Sequence, residues 1–171
     1  MNWLRRYIAK MAGGNTPPPA PKMVSILLAG IGAMCAIAAV AGLSDLTGAA
    51  LLMAPFGASC FLAFVVPDSP LAQPRNIFFG HLISAATGMV VLLLLGDSWM
   101  AAALAVGLAV ILMQVTRTGH PPAGADPLVV FVLHPAFSYL IFPVLTGAVI
   151  IVTVALIFNN LRPGISYPKY W

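Results

Sequence analysis

Charge is what this chain has least of. Only 7% of its 171 residues are Asp, Glu, Lys or Arg, while 61% are hydrophobic and the mean hydropathy is +1.00. So few charges cannot cover a surface that faces water, which excludes a soluble globular domain and makes lipid the main solvent. Glutamate is absent: the four acids are Asp45, Asp68, Asp97 and Asp126. No carboxylate-rich metal or glycosidase site can be assembled from them in sequence. The two cysteines, Cys35 and Cys60, stand in apolar runs without CxxC spacing and read as small buried residues. Lys and Arg number 8, for a net charge of +4, but they concentrate at the two ends rather than on one face, which excludes a nucleic-acid-binding protein. A cleavable signal is also missing, because the basic N-terminus runs into a Gly- and Pro-rich stretch at 11–21 instead of an apolar core.

What the chain does have is long apolar runs. Residues 23–43 hold about twenty residues without a charge, enough to cross roughly 30 Å of hydrocarbon as a helix. Residues 76–95, 99–116 and 137–158 make three more such spans, and Pro74 fits the helix-opening position of the first of these. The N-terminal segment 1–22 places Trp3, Leu4, Tyr7, Ile8 and Met11 on one helical side and Arg5, Arg6 and Lys10 on the other. That is the pattern of a short interfacial helix, with a frayed basic tail as the equal alternative, followed by a stiff proline linker. Residues 23–160 form the transmembrane domain and 161–171 a cytoplasmic tail.

Two further apolar stretches, 49–66 and 121–133, are short and interrupted by proline and glycine. The first contains Pro55-Phe56-Gly57-Ala58-Ser59 and the second Pro122-Ala123-Gly124-Ala125-Asp126, and Thr87-Gly88 and Thr146-Gly147 recur in the last span of each half. These matches predict an internal duplication over 23–96 and 99–158. If both short stretches cross the membrane, there are six segments and every Lys and Arg falls on the cytoplasmic side with both termini. The fold class is then an all-α integral membrane protein of two inverted three-segment repeats, each with one broken helix. The alternative, four full spans plus two re-entrant segments, moves Arg75 and Arg117 outside and agrees less well with the charges.

Ser59 and Asp126 are predicted N-caps, with Pro127 in the first helical position, so each short stretch becomes helical only after its Pro-x-Gly-Ala turn. Two such helix starts meeting near the midplane would present unpaired backbone N–H groups and positive dipole ends, an anion-binding geometry. Pro55, Gly57, Ala58, Pro122, Gly124 and Ala125 would let a small anion approach the backbone. The competing reading is that the small residues only pack helices. Arg117 and His120 flank the second broken helix and are expected to add positive charge at the cytoplasmic approach. His81, the ionisable residue inside a long span, is a candidate site residue or a packing residue in equal measure. Asp126 reads as a cap rather than a proton carrier. The three histidines lack metal-site spacing, and no metal or cofactor motif is present.

His120-Pro121-Pro122 followed by Ala-Gly-Ala resembles the name-giving signature of the HPP family of integral membrane proteins. The segments 54–59, 67–76 and Gly80-His81-Leu82 are similar to other characteristic stretches of that family, in the right order over about residues 23–158. The resemblance implies a transporter of nitrite, as plastid and cyanobacterial members are described, and usually four membrane helices. The expected partners are therefore a small inorganic anion and the lipid bilayer, with a homo-oligomer as a prior, in a bacterial inner membrane. A structural or regulatory membrane subunit is the alternative. An enzyme is not expected, since no nucleophile and base are paired in the sequence.

Overall fold

The computed structural model describes residues 3–171, and among these no strand occurs. The helices are α1 Trp3–Met11, α2 Met23–Thr47, α3 Pro55–Val65, α4 Pro74–Leu95, α5 Trp99–Val115, α6 Asp126–Leu133 and α7 Thr146–Leu161. Three apolar stretches are long enough to cross a membrane: α2 (25 residues), α4 (22) and Phe137–Leu161 (25), the last broken at Phe142 (φ −125°, ψ 108°) before α7 begins. Helix α5, with 17 residues, sits at the lower limit of roughly 17–25 for a spanning helix. The proline at the head of α4 occupies a first-turn position, as expected, and Ser98 caps α5 by accepting from Ala101 N–H at 3.2 Å. Helix α1 is formed, the first of the two alternatives, and buries nothing, with Trp3 and Tyr7 stacked at 5.5 Å.

The contacts sort the segment ends onto two faces. One, the near face, gathers Ser25 at the head of α2 with Val65, Val66 and Arg162 around a shared cavity. Arg75 reaches Thr116 O there, and Asn76 reaches Gly119 O at 3.0 Å. The far face pairs Asp97 with His134 at 3.2 Å and gathers residues 49–54 with Leu133, Tyr139 and Phe142. Six stretches therefore run between the two faces: α2, 49–65, α4, α5, 117–133 and 137–161. Residues 49–65 travel the whole way, 49–53 outside any helix, Ala54 in a turn and the rest as α3, rather than dipping in and returning. Lys22, Arg75, Arg117, Arg162 and Lys169 all lie at the near-face ends of these stretches, and Asp45 and Asp97 at the far-face ends.

Tight packing is bought with small side chains. Gly32 faces Phe64 and Phe158, whose rings meet edge to face at 5.8 Å. Gly88 of α4 lies against Pro127 of α6, where a Cβ would come within 2.8 Å of the proline Cα, and Gly147 of α7 lies against the ring of Phe56 in α3. Each half thus lays its Thr-Gly step on the broken stretch of the other half.

Backbone that leaves the helix must find partners inside the protein, because hydrocarbon offers none. The non-helical stretch 49–54 is served by Ser44, whose hydroxyl donates to Ala49 O and accepts from Leu51 N–H, and by Thr47, which accepts from Ala49 N–H. At the C-terminus of α3 the last carbonyls are orphans of helix geometry. Fully buried Asn159 donates to Ala63 O at 2.9 Å, and Arg162 donates to Phe64 O at 2.8 Å and to Asn159 Oδ1 at 3.1 Å. Replacing Asn159 by Leu strands the Ala63 carbonyl and is expected to cost about 1–3 kcal/mol. Thermal unfolding in detergent should show a clear drop in Tm for Asn159→Leu and almost none for Thr153→Ala, whose exposed hydroxyl only returns to Val149 O.

Candidate functional site

Inside this apolar array runs one polar chain. Asp126 Oδ2 meets His81 Nδ1 at 2.7 Å, His81 Nε2 meets Ser59 Oγ at 2.8 Å, Ser59 Oγ meets His120 Nε2 at 2.8 Å, and His120 Nδ1 donates to Leu71 O at 2.8 Å. Asp126, His81 and Ser59 are fully buried and His120 is 1% exposed. The chain joins both broken stretches, through Ser59 of α3 and Asp126 of α6, to the long helix α4 and to the loop before it.

Local structure explains each placement. Ser59 sits in the second turn of α3, where its hydroxyl lies 3.3 Å from Pro55 O. His81 is seven residues into α4, roughly 10 Å from the near-face end at 1.5 Å per residue, and Phe56 packs against its ring edge to face at 5.3 Å. His120 comes this deep because α4 has glycine at position 80, where a Cβ would lie 2.7 Å from His120 Cβ and 3.1 Å from Thr118 O. Ser84, one turn above, donates to Ala123 O at 2.6 Å and holds the 3-10 turn Pro121–Ala125 that leads into α6.

Proton bookkeeping follows from the connectivity. The Leu71 carbonyl can only accept, so His120 Nδ1 carries a hydrogen. Ser59 has a single hydrogen for three acceptors, the two imidazole nitrogens at 2.8 Å and Pro55 O at the longer 3.3 Å, and the shorter pair define two arrangements along the chain. If the hydrogen points to His120, His81 must donate to the hydroxyl oxygen, and one further proton lies between His81 and Asp126. If it points to His81, His120 is an imidazolium and Asp126 a carboxylate. In both arrangements each of the four gaps holds one proton and the charges of Asp126, His81 and His120 sum to zero, the condition under which such a cluster is tolerable in hydrocarbon.

Two buried side-chain atoms among the described residues make no hydrogen bond: Asp126 Oδ1 and the Tyr139 hydroxyl. Tyr139 stands in the 3-10 turn Phe137–Leu140, within electrostatic reach of the Asp126 carboxyl.

The structure gathers Ser59, His81, His120 and Asp126, four of the expected site residues, and corrects their roles. Ser59 is not an N-cap, because α3 begins at Pro55, ahead of the Gly-Ala word rather than after it. Asp126 does open α6, after the 3-10 turn, but its side chain turns to His81 instead of capping the helix. The free amides expected at the turns are engaged: Phe56 and Gly57 N–H donate to Met53 and Ala54 O, and Ala123 N–H to His120 O. Pro55, Gly57, Ala58, Pro122 and Ala125 instead line an open apolar groove of about 1050 Å³ between α3 and α6. Gly124 and His120 share a smaller cavity of about 360 Å³ with Gln114 and Leu71. Arg117 is exposed at the near face in a left-handed conformation (φ 56°), apart from the buried chain. Sequence reading overlooked Tyr139 and the Leu71 carbonyl, since neither stands in a repeated word. It also saw no paired nucleophile and base, although Ser59 and His81, 22 residues apart, are within hydrogen-bonding distance.

Apolar helices traversing from face to face around a buried ionisable chain define a polytopic integral membrane protein. The chain matches the family described as HPP, transmembrane region, over residues 18–168 and belongs to it. Among curated proteins it is similar to two transmembrane proteins of Dictyostelium discoideum, one 41% identical over 129 residues (71% of this chain and 45% of that protein), the other 38% identical over 128 residues (70% and 41%). The chain thus spans less than half the length of either relative. No solved structure matches it.

Two glycines separate what the site needs from what the groove tolerates. A Cβ at Gly57 meets nothing within 4 Å, whereas one at Gly80 drives into His120. Gly80→Ala is expected to lower stability by about 1–3 kcal/mol through overpacking, and Gly57→Ala to leave it unchanged or raise it, as read by Tm in detergent.

Proposed function

We propose that this protein moves a small inorganic anion across the bilayer and is not an enzyme, with nitrite as the substrate that the family resemblance implies. The observation that carries the reading is the buried Asp126–His81–Ser59–His120 chain: ionisable groups placed inside a membrane-embedded helix array are costly and mark substrate or ion pathways. Their location at two Pro/Gly-broken stretches adds support, since broken helices at a repeat interface are the usual setting for such sites in transporters. The reciprocal packing of Gly88 on Pro127 and of Gly147 on Phe56 favours two inverted three-segment halves. With Lys22, Arg75, Arg117, Arg162 and Lys169 on the near face, the positive-inside rule assigns that face, and both ends of the chain, to the cytoplasm. The curated relatives come from Dictyostelium discoideum and lend the expected bacterial inner membrane no support.

In this reading the anion meets His120 and Gly124 in the cavity they share with Gln114, while Arg117 raises local anion concentration at the cytoplasmic mouth. Apolar side chains exposed on α2, α4 and α5 leave room for a homo-oligomer.

A hydrolase is the reading that competes on geometry, because Asp126, His81 and Ser59 present their atoms in the order of a catalytic triad. The Ser59 hydroxyl is fully buried and held from its other side by His120, which leaves no open approach for a carbonyl. An activated-serine probe such as a fluorophosphonate is therefore expected to leave Ser59 unlabelled, and labelling at Ser59 would favour the hydrolase.

Transport is tested with purified protein in liposomes supplied with nitrite, nitrate, formate or chloride. Nitrite uptake above that of protein-free liposomes, reduced several-fold in Arg117→Gln at low ionic strength and less so in high salt, is the expected result. Folded protein that carries none of the four anions would favour a structural or regulatory subunit.

A further inference from the structure

The polar chain has more order than a binding site requires. With the proton of its first gap on Asp126, every donor points the same way: Asp126 O–H to His81 Nδ1, His81 Nε2–H to Ser59 Oγ, Ser59 O–H to His120 Nε2, and His120 Nδ1–H to Leu71 O. Each end also addresses a different face. His120 lines the cavity of about 360 Å³ on the near-face side, beside Leu71 and Gly119. Asp126 Oδ1, unpartnered, is within electrostatic reach of the unpartnered hydroxyl of Tyr139, and Tyr139 lines a cavity of about 460 Å³ with Ala49, Met53 and Phe142 on the far-face side.

We propose that Asp126, His81, Ser59 and His120 form a proton path between the far-face and near-face cavities, with Tyr139 as its far-face port. One passage breaks the Asp126 O–H, His81 Nε2–H and Ser59 O–H bonds and forms the His81 Nδ1–H, a new Ser59 O–H and the His120 Nε2–H bonds. Asp126 is left as a carboxylate and His120 as an imidazolium, so one positive charge has crossed the chain with atoms conserved. His120 then releases its Nδ1 proton into the near-face cavity as the ring leaves Leu71 O. Asp126 regains a proton on Oδ1 by way of water from the Tyr139 cavity and turns it toward His81, the Ser59 hydroxyl rotates, and each imidazole returns to its starting tautomer by giving one ring proton to water and taking another on its opposite nitrogen, which ring rotation alone cannot do. The groups facing the path are those of the chain itself, with Tyr139 from the Phe137–Leu140 turn and Gln114 from α5. Arg75 is turned to Thr116 O and Arg117 is exposed, so neither joins it. Resting on the anion-transport reading, the path supplies the proton that moves with the anion.

The experiment follows two fluxes in the same proteoliposomes: lumenal pH with an entrapped dye, under a valinomycin clamp, and nitrite uptake, both against protein-free liposomes. Asp126→Asn is the main variant, because the amide can still donate to His81 Nδ1 and keep the chain hydrogen-bonded. It is expected to slow proton entry about a hundredfold, as is Ser59→Ala, which removes the middle link. His134→Ala, at the exposed Asp97 pair, should match the wild type. Wild-type proton entry should also slow in D2O, a readout that needs no variant to fold. Nitrite uptake that persists unchanged in Asp126→Asn and Ser59→Ala, with no accompanying proton, would overturn the proton path and leave anion transport standing. Proton entry without uptake of any anion would keep the path and overturn the anion reading, and a folded wild type that passes neither would overturn both.

Discussion

Hydrocarbon accepts no hydrogen bonds, and that single constraint orders this structure. A helix satisfies it for its own backbone everywhere except at its ends and where it breaks. This chain breaks inside its apolar region at 49–54, at 117–125 and at Phe142, and the polar side chains within the array gather mainly at the first two. Ser44 and Thr47 serve the non-helical stretch 49–54, Asn159 and Arg162 close the carbonyl end of α3, and Ser84 and Asn76 hold the carbonyls of Ala123 and Gly119. Ser59, His81, His120 and Asp126 are different in kind. They satisfy one another, and apart from Leu71 O and the longer approach of Ser59 to Pro55 O they mend no backbone. A polar cluster not needed for the architecture is the part of the molecule available for function.

The same logic accounts for the neutrality of the cluster. A carboxylate and two imidazoles could bear net charges of either sign, yet with the Ser59 hydroxyl directed along the chain every gap is filled only when those charges cancel. Removing a proton leaves lone pair against lone pair in one gap, and adding one leaves hydrogen against hydrogen unless Ser59 turns to the longer contact with Pro55 O. The arrangement therefore tolerates movement of charge along its length far better than a change in its total.

Much of this was legible in the sequence. The long spans follow from uninterrupted apolar runs, and the Lys and Arg pattern reappears as Lys22, Arg75, Arg117, Arg162 and Lys169 gathered at the near-face ends of the stretches. The proline-broken words were recognisable as special because proline and glycine are expensive inside a helix that has no water to turn to. Their roles were less legible. Reading Ser59 and Asp126 as caps treated a local signal as sufficient, when both side chains answer to α4, and in the case of Ser59 to His120, 61 residues away. Periodicity says which residues share a helix face and nothing about which faces meet. For the same reason Tyr139 gave no signal: a tyrosine in an apolar run looks like any aromatic until its hydroxyl is found buried without a partner.

The near face is closed by residues 167–170. The Tyr167 hydroxyl donates to Ala72 O, Lys169 N–H to Gln73 Oε1, and Tyr170 to Pro70 O and Asn76 Oδ1. Burial pushes the Tyr167 phenol up, so it stays a donor. These bonds bridge 94 to 100 positions of sequence, and the loop they fasten carries Leu71, on whose carbonyl the buried chain ends. During synthesis the loop is made and its flanking helices threaded into lipid long before residues 167–170 leave the ribosome. The order of manufacture thus leaves the floor of the site unlatched until residues 167–170 arrive, and a growing chain passes through its assembly with the inner end of the polar chain still loose.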